Sequence, residues 1–199
     1  MEHVSNMVDI NKTELSDFDL VKLTLENSAN YKYLIEKYDK KLARYIQRII
    51  FINNEDSEDI LQDVFIKAYK NLNGFNPKYK FSSWIYRIAH NEAISFLRGG
   101  KVRNNEIDND VEEDIFETLA SEVNLEKEVL MECNSKYVHK ILSKLDDKYR
   151  DVLVLKYFEE KDYDEISDIL HLSSGTVGSL ISRAKDKFKQ IVENEKISG

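Results

Sequence analysis

Three groups of side chains in this 199-residue chain have types and spacings suited to molecular recognition. In the first, Lys78, Lys80, Arg87, Arg98, Lys101 and Arg103 alternate with Phe75, Tyr79, Phe81, Trp84 and Tyr86. Cations interleaved with aromatics suit single-stranded nucleic acid, because an unstacked base needs a new π-face and its backbone needs neutralising charge. Asn76, Lys78, Tyr79 and Lys80 sit in the segment GFNPKYKF, where Gly74 and Pro77 oppose a helix, and are the better contact candidates; Trp84 and Tyr86 lie on different helical faces, so at least one belongs to a core. The second group is Ser174-Gly175-Thr176, followed by Arg183, Lys185, Lys187 and Lys189. Hydroxyls and free N–H groups at a helix start can meet phosphates or base edges, and the later cations neutralise phosphate. The third is Asp59, Gln62 and Asp63 around Ile66, an apolar centre with a polar rim, as in a protein contact. A lone exposed isoleucine is equally ordinary, and the residues alone leave that choice open.

The elements that must hold these groups read as helices. Leu34, Tyr38, Leu42, Tyr45 and Ile49 form one apolar stripe; Ile60, Leu61, Val64, Phe65, Ala68, Tyr69 and Leu72 form another. Ser82 or Ser83 is positioned to cap a helix carrying Trp84, Ile85, Ile88, Ala89, Ile94 and Leu97, which Gly99-Gly100 stops. Asn124 and Asp146 are candidate caps for two later helices. The most specific local pattern runs from Tyr163 to Ile191: a short helix with Ile166, Ile169 and Leu170 inward, a turn at His171-Leu172, and a second helix capped by Ser173 or Ser174 that packs through Val177, Ile181, Ala184 and Phe188. A helix-turn-helix of this form lays its second helix in a major groove. The same triplets also suit a plain helical hairpin. No segment sustains strand-like alternation, so the expectation is an all-α chain of two small helical domains, the second containing the helix-turn-helix.

Charge divides the chain in the same way. The net charge of −8 is an average: residues 1–16 carry −2, residues 17–103 carry +4, residues 104–134 carry −10 and residues 135–199 are neutral. The reading is an N-terminal extension (1–16), a basic domain (17–103), an acidic linker running into the next helix (104–134) and a helix-turn-helix domain (135–199). One cysteine, Cys133, excludes an internal disulfide and a cysteine metal cage. The longest apolar runs have four residues, and the N-terminus lacks the basic-then-apolar layout of a signal peptide, so a cytoplasmic chain with no membrane insertion is expected. His3, His90, His139 and His171 show no metal-ligand spacing, Asp108–Asp114 lacks a calcium-loop pattern, and no phosphate-cradling glycine loop or nucleophile elbow occurs. Neither an enzyme nor a cofactor is expected.

Two segments, DSEDILQDVFIKAYKNLNGFNPKYKFSSWIYRIAHNEAISFLR (56–98) and LDDKYRDVLVLKYFEEKDYDEISDILHLSSGTVGSLISRAKDKF (145–188), together resemble bacterial extracytoplasmic-function (ECF) sigma factors, in order and spacing as well as in residues. The resemblance implies that Asp59, Gln62, Asp63 and Ile66 dock on core RNA polymerase, which tips the reading of Ile66. It implies that Asn76, Lys78, Tyr79, Lys80, Ser83, Trp84, Arg87, Asn91 and Arg98 read and open the minus-ten element. It places Ser174, Gly175, Thr176, Ser179, Arg183 and Lys187 at the minus-thirty-five element. The implied partners are core RNA polymerase, promoter DNA and an anti-sigma protein, and the acidic linker would run toward the RNA exit path.

The recognition helix departs from the family's common Gly-Thr-Val-Lys-Ser-Arg-Leu-Ser-Arg-Ala. Gly178 stands for the lysine, Leu180 for the arginine and His171 for the usual turn glycine. Weak or altered minus-thirty-five reading is therefore expected. These departures also motivate two other readings, a polymerase-binding adaptor with weakened DNA reading and a free-standing helix-turn-helix regulator.

Overall fold

Capping and apolar spacing together account for where the helices begin. In the computed structural model, which describes residues 15–100, Leu119 and 135–197, Ser16 accepts from the Asp19 N–H and opens α1 (Asp17–Glu26). Helix α2 (Tyr31–Ile50) buries the whole expected stripe from Leu34 to Ile49 and ends with Phe51 in the left-handed region at φ 52°. Asn53 accepts from the Asp56 N–H at 2.7 Å and opens α3 (Asn54–Asn71). A 3-10 turn (Leu72–Gly74) and the loop through Lys80 lead into α4 (Phe81–Arg98). Helices α2, α3 and α4 pack on one another, with α1 across α2, and Leu34, Leu42, Tyr45, Ile49, Val64, Ile85 and Ala89 close their shared core.

The second unit comprises α5 (Ser135–Ser143), α6 (Asp147–Leu153), α7 (Tyr163–Leu170) and α8 (Ser174–Ile197). Helix α6 continues into a wider π-helical turn, Val154–Phe158, and the run from Val152 to Leu155 across this junction is fully buried. Asp162 and Glu165 form a reciprocal capping box at the start of α7. Val177, Ile181, Ala184, Phe188 and Val192 make the inward face of α8. Leu119, within the acidic stretch, is fully buried. Among the described residues the architecture is all-α, in two helical units.

Three expectations need correction. Neither Ser82 nor Ser83 caps α4: the helix starts at Phe81, with an extended Lys80 in the cap position two residues before Ser82, and no side chain caps it. The buried Phe81 ring fixes that start by packing on Tyr38, Phe75 and Trp84. Tyr69, expected in the core stripe of α3, is 44% exposed and lies against the Tyr31 ring instead. Asp146 precedes α6 as expected but makes no side-chain cap. The expected Asn124 cap, residues 1–14, and the linker apart from Leu119 lie outside the described residues.

Candidate nucleic-acid interface

The loop before α4 and the first turns of that helix form an aromatic-walled cleft. Tyr79 N–H bonds back to the Asn76 carbonyl at 3.1 Å, and Asn76 Oδ1 accepts from the Lys78 N–H at 3.1 Å, so Asn76 shapes the loop from within. Phe75, Phe81 and Trp84 cluster with ring centroids 5.4–5.5 Å apart. A cleft of about 290 Å³ opens beside them, lined by Phe18, Phe75, Pro77, Tyr79, Lys80 and Phe81 among others. Tyr79 and Lys80, both exposed, line it and supply a π-face and a cation, group types suited to an unstacked base.

The structure separates the expected contact residues on this side. Asn76, Lys78, Tyr79, Lys80, Asn91 and Arg98 are exposed, and Arg87 is partly so. Trp84 is half-buried in the aromatic cluster. Ser83 is a correction to the surface set: it is 2% exposed and its hydroxyl has no hydrogen-bond partner, because α4 turns that position inward. Phe18, 56% exposed on α1, lines the cleft although the motif does not contain it. Its position among polar residues at a helix start was the only signal.

On α3, Asp59, Gln62, Asp63 and Ile66 are all exposed on one face, and Ile66 remains 45% accessible. The helix behind them is tied down: Tyr31 donates to the Phe65 carbonyl at 2.7 Å, and Lys67 pairs with Glu92 of α4. Around the turn of the second unit, His171 takes φ 55°, occupying the left-handed position where glycine is favoured. Ser173, rather than Ser174, caps α8, accepting from the Thr176 N–H at 3.2 Å. Ser174 instead donates to Asp164 at 2.9 Å. Ser174, Gly175, Thr176, Ser179, Arg183 and Lys187 are all exposed. Leu180, by contrast, packs partly against the core, as a leucine can and an arginine head would not.

A polar cluster joins the two units. Arg48 of α2 meets Glu159 at 2.9 Å, both side chains being nearly buried, and Tyr86 of α4 donates to the other Glu159 oxygen at 2.6 Å. Burial pushes the Glu159 carboxyl up, while Tyr86 and Arg48 pull it back. Lys161 sits over the Tyr86 ring at 4.4 Å, and burial lowers its pKa. Nearby, His90 Nε2 lies 3.9 Å from Asp151 Oδ2, and Tyr45 OH lies 3.0 Å from His90 Nδ1. Burial holds His90 down at about 4 and raises Asp151 to about 7. Sequence reasoning missed Arg48, Glu159 and Asp151. The available signal was a charge beside or within an apolar run, as in Asp151 directly before Val152–Leu155.

Comparison with known proteins covers both units. Residues 34–102 match the family Sigma-70 region 2, and residues 135–188 match Sigma-70, region 4. The chain is 33% identical over 162 residues to the ECF RNA polymerase sigma factor SigW of Bacillus subtilis, covering 79% of this chain and 86% of that protein. It is 30% identical over 168 residues to the ECF RNA polymerase sigma-E factor of Escherichia coli K12, covering 82% and 86% respectively. In fold it resembles CnrH, solved in complex with the cytosolic domain of CnrY, with a TM-score of 0.66, 24% identity and coverage of 89% of this chain and 97% of that one. A second likeness is to the sigma factor RpoE of Bartonella quintana, solved with the anti-sigma factor NepR, with a TM-score of 0.59, 16% identity and coverage of 82% and 97%.

Proposed function

The chain belongs to the ECF family of RNA polymerase sigma factors, and from that membership we propose how its surfaces divide the work of directing transcription initiation. The exposed face of Asp59, Gln62, Asp63 and Ile66 docks on core RNA polymerase. Ile66 supplies the apolar centre, and the carboxylates supply the charge that selects a basic partner surface. The cleft beside Tyr79 and Lys80 receives an unstacked minus-ten base, and Asn76, Lys78, Arg87, Asn91 and Arg98 hold the backbone and flanking bases. The exposed start of α8 and its later cations lie in the minus-thirty-five major groove.

Mechanistically, the chain opens DNA by binding it. Each unstacked base costs a few kcal/mol, and aromatic stacking on the protein returns about 1–3 kcal/mol per base. Core polymerase contributes the remaining contacts, so the sigma chain needs no hydrolysis of its own and no catalytic residue. The work is done in the cytoplasm, where core polymerase resides; among the described residues no helix is long and apolar enough to cross a membrane. An anti-sigma protein is a further partner in this reading.

The observation that carries this proposal is the match of both sigma-70 regions, in order, on one chain whose relatives of 30% identity or more span both. Run-off transcription with bacterial core polymerase on templates selected from random DNA tests it. A promoter-dependent transcript that requires this chain is expected. Core binding without any such transcript would favour the adaptor reading that Gly178 and Leu180 motivate. Tight duplex binding without polymerase would favour the free-standing regulator.

A further inference from the structure

Between α2 and the segment before α7 lies a cavity of about 220 Å³ whose lining is rich in cations. Lys41, Arg44 and Arg48 reach it from α2, where steps of three and four residues put them on one face, and Lys161 reaches it from the facing segment. No residue assigned above to polymerase or DNA lines it. Arg48 is engaged with Glu159, which also accepts from Tyr86. Lys41 and Arg44 are exposed, and partly buried Lys161 lies over the Tyr86 ring at 4.4 Å. A ring face attracts an ammonium group without neutralising it. Burial lowers the Lys161 pKa, and the charges of Lys41 and Lys80 lower it further against the pull of Glu165 and Glu159. The backbone holds Lys161 in this crowded place. Glu160 takes φ 51°, a strained value for a residue with a side chain, and the Lys161 N–H donates to the Leu155 carbonyl at 2.9 Å.

We propose that this cavity is a binding site for a diphosphate group, held by the Arg44 guanidinium and the ammonium groups of Lys41 and Lys161. Like charges gathered around one cavity repel one another, and a polyanion placed among them turns that repulsion into attraction. A guanidinium fork matches two phosphate oxygens at once, and each ammonium group adds a compact point charge. A diphosphate spreads its negative charge over two tetrahedral centres and so meets all three cations, whereas a single carboxylate meets one. These cations outweigh Glu160, which also lines the cavity, while Glu159 is already held by Arg48 and Tyr86. Buried Tyr86 and Phe158 complete the lining, and charge attraction against such apolar walls is stronger than in open water. The net charge of −8 opposes anion uptake by the chain as a whole, so binding here depends on the local cluster. The diphosphate is either free pyrophosphate or the tail of a nucleotide.

Titration calorimetry of the full chain with sodium pyrophosphate, and separately with adenosine diphosphate, both without magnesium, tests this. Saturable binding of one anion per chain is expected, with a thermal midpoint that rises as the anion is added. Lys161→Gln should weaken it about tenfold, and Lys41→Gln, at an exposed position where the fold is not at stake, should do the same with normal circular dichroism. Lys40→Gln removes a neighbouring exposed charge that does not line the cavity and should leave the affinity unchanged. Tighter binding of the nucleotide would identify a nucleotide as the source of the diphosphate; equal or tighter binding of pyrophosphate would identify the free anion. Absence of saturable heat with both anions would overturn the proposal. An equal loss in Lys40→Gln would overturn it too, since the attraction would then be diffuse surface charge. So would a Lys41→Gln chain that binds oligodeoxythymidine more weakly while pyrophosphate fails to bind the parent, because the cations would then serve a nucleic-acid backbone.

Discussion

Asp151→Asn should stabilise the protein at alkaline pH and leave it little changed at acid pH. Asp151 is 7% exposed on α6; one of its oxygens has no hydrogen-bond partner and the other lies 3.9 Å from His90. Arg150 offsets part of the burial, and Asp147 adds to it, so the carboxyl rises from 3.8 to about 7. The sign follows from proton binding. Between these values the folded state holds a proton that the unfolded chain has released, so stability falls as pH rises through that window. The displacement corresponds to about 4 kcal/mol at pH 8, of which about 3 kcal/mol is regained by pH 5. Asparagine carries no charge to bury. The stability difference between variant and parent should therefore shrink by about 3 kcal/mol between pH 8 and pH 5. His90 and His139, both lowered by burial to about 4, act oppositely: their contribution is complete above 6.5 and lost as pH falls through 4. They are present in both proteins and cancel in the difference. Urea unfolding of parent and variant across this range measures it. A gap of the same size at both ends of the range would refute the assignment of Asp151 as a buried, proton-linked carboxyl.

Asp63→Arg reverses a charge on an exposed face and should weaken core-polymerase binding about tenfold with unchanged circular dichroism; normal retention in a pull-down would remove α3 from the docking surface. Lys78→Ala combined with Lys80→Ala should reduce promoter opening, followed by permanganate reactivity, more than it reduces core binding. Equal losses in both assays would speak against a melting role for the loop. Gly178→Ala should raise stability by about 1 kcal/mol, because glycine is a poor helix former. The added Cβ would meet only Tyr163, at an ordinary 3.5 Å, and a lower thermal midpoint would show that this estimate of the space is wrong.

Much of the fold was legible because helices are local. The stripe from Leu34 to Ile49 buries as its spacing requires, and the helix-turn-helix appears where Ile166, Ile169, Val177 and Ile181 place it. The turn chemistry was harder to read. Serines near a helix start look alike in sequence, but Ser173 caps, Ser174 bonds to Asp164, Ser82 bonds to Glu165 and Ser83 is buried. Which role each takes depends on the element packed against it. The departures at Gly178 and Leu180 were visible at once, and the packing of Leu180 supplies a physical reason for one of them.

What the sequence determined by itself was the set of helices, the partition of charge among segments and the three candidate recognition surfaces. Each depends on periodicity or on residues within a few positions of one another. Only the tertiary structure decided that Lys80, just before α4, pairs with the carboxylates Asp162 and Glu165 at the start of α7. Arg48 and Glu159 are 111 positions apart, and nothing in local spacing pairs them. Burial and charge compensation are properties of where helices meet, so the net −8 of the chain says little about which cations are available to DNA.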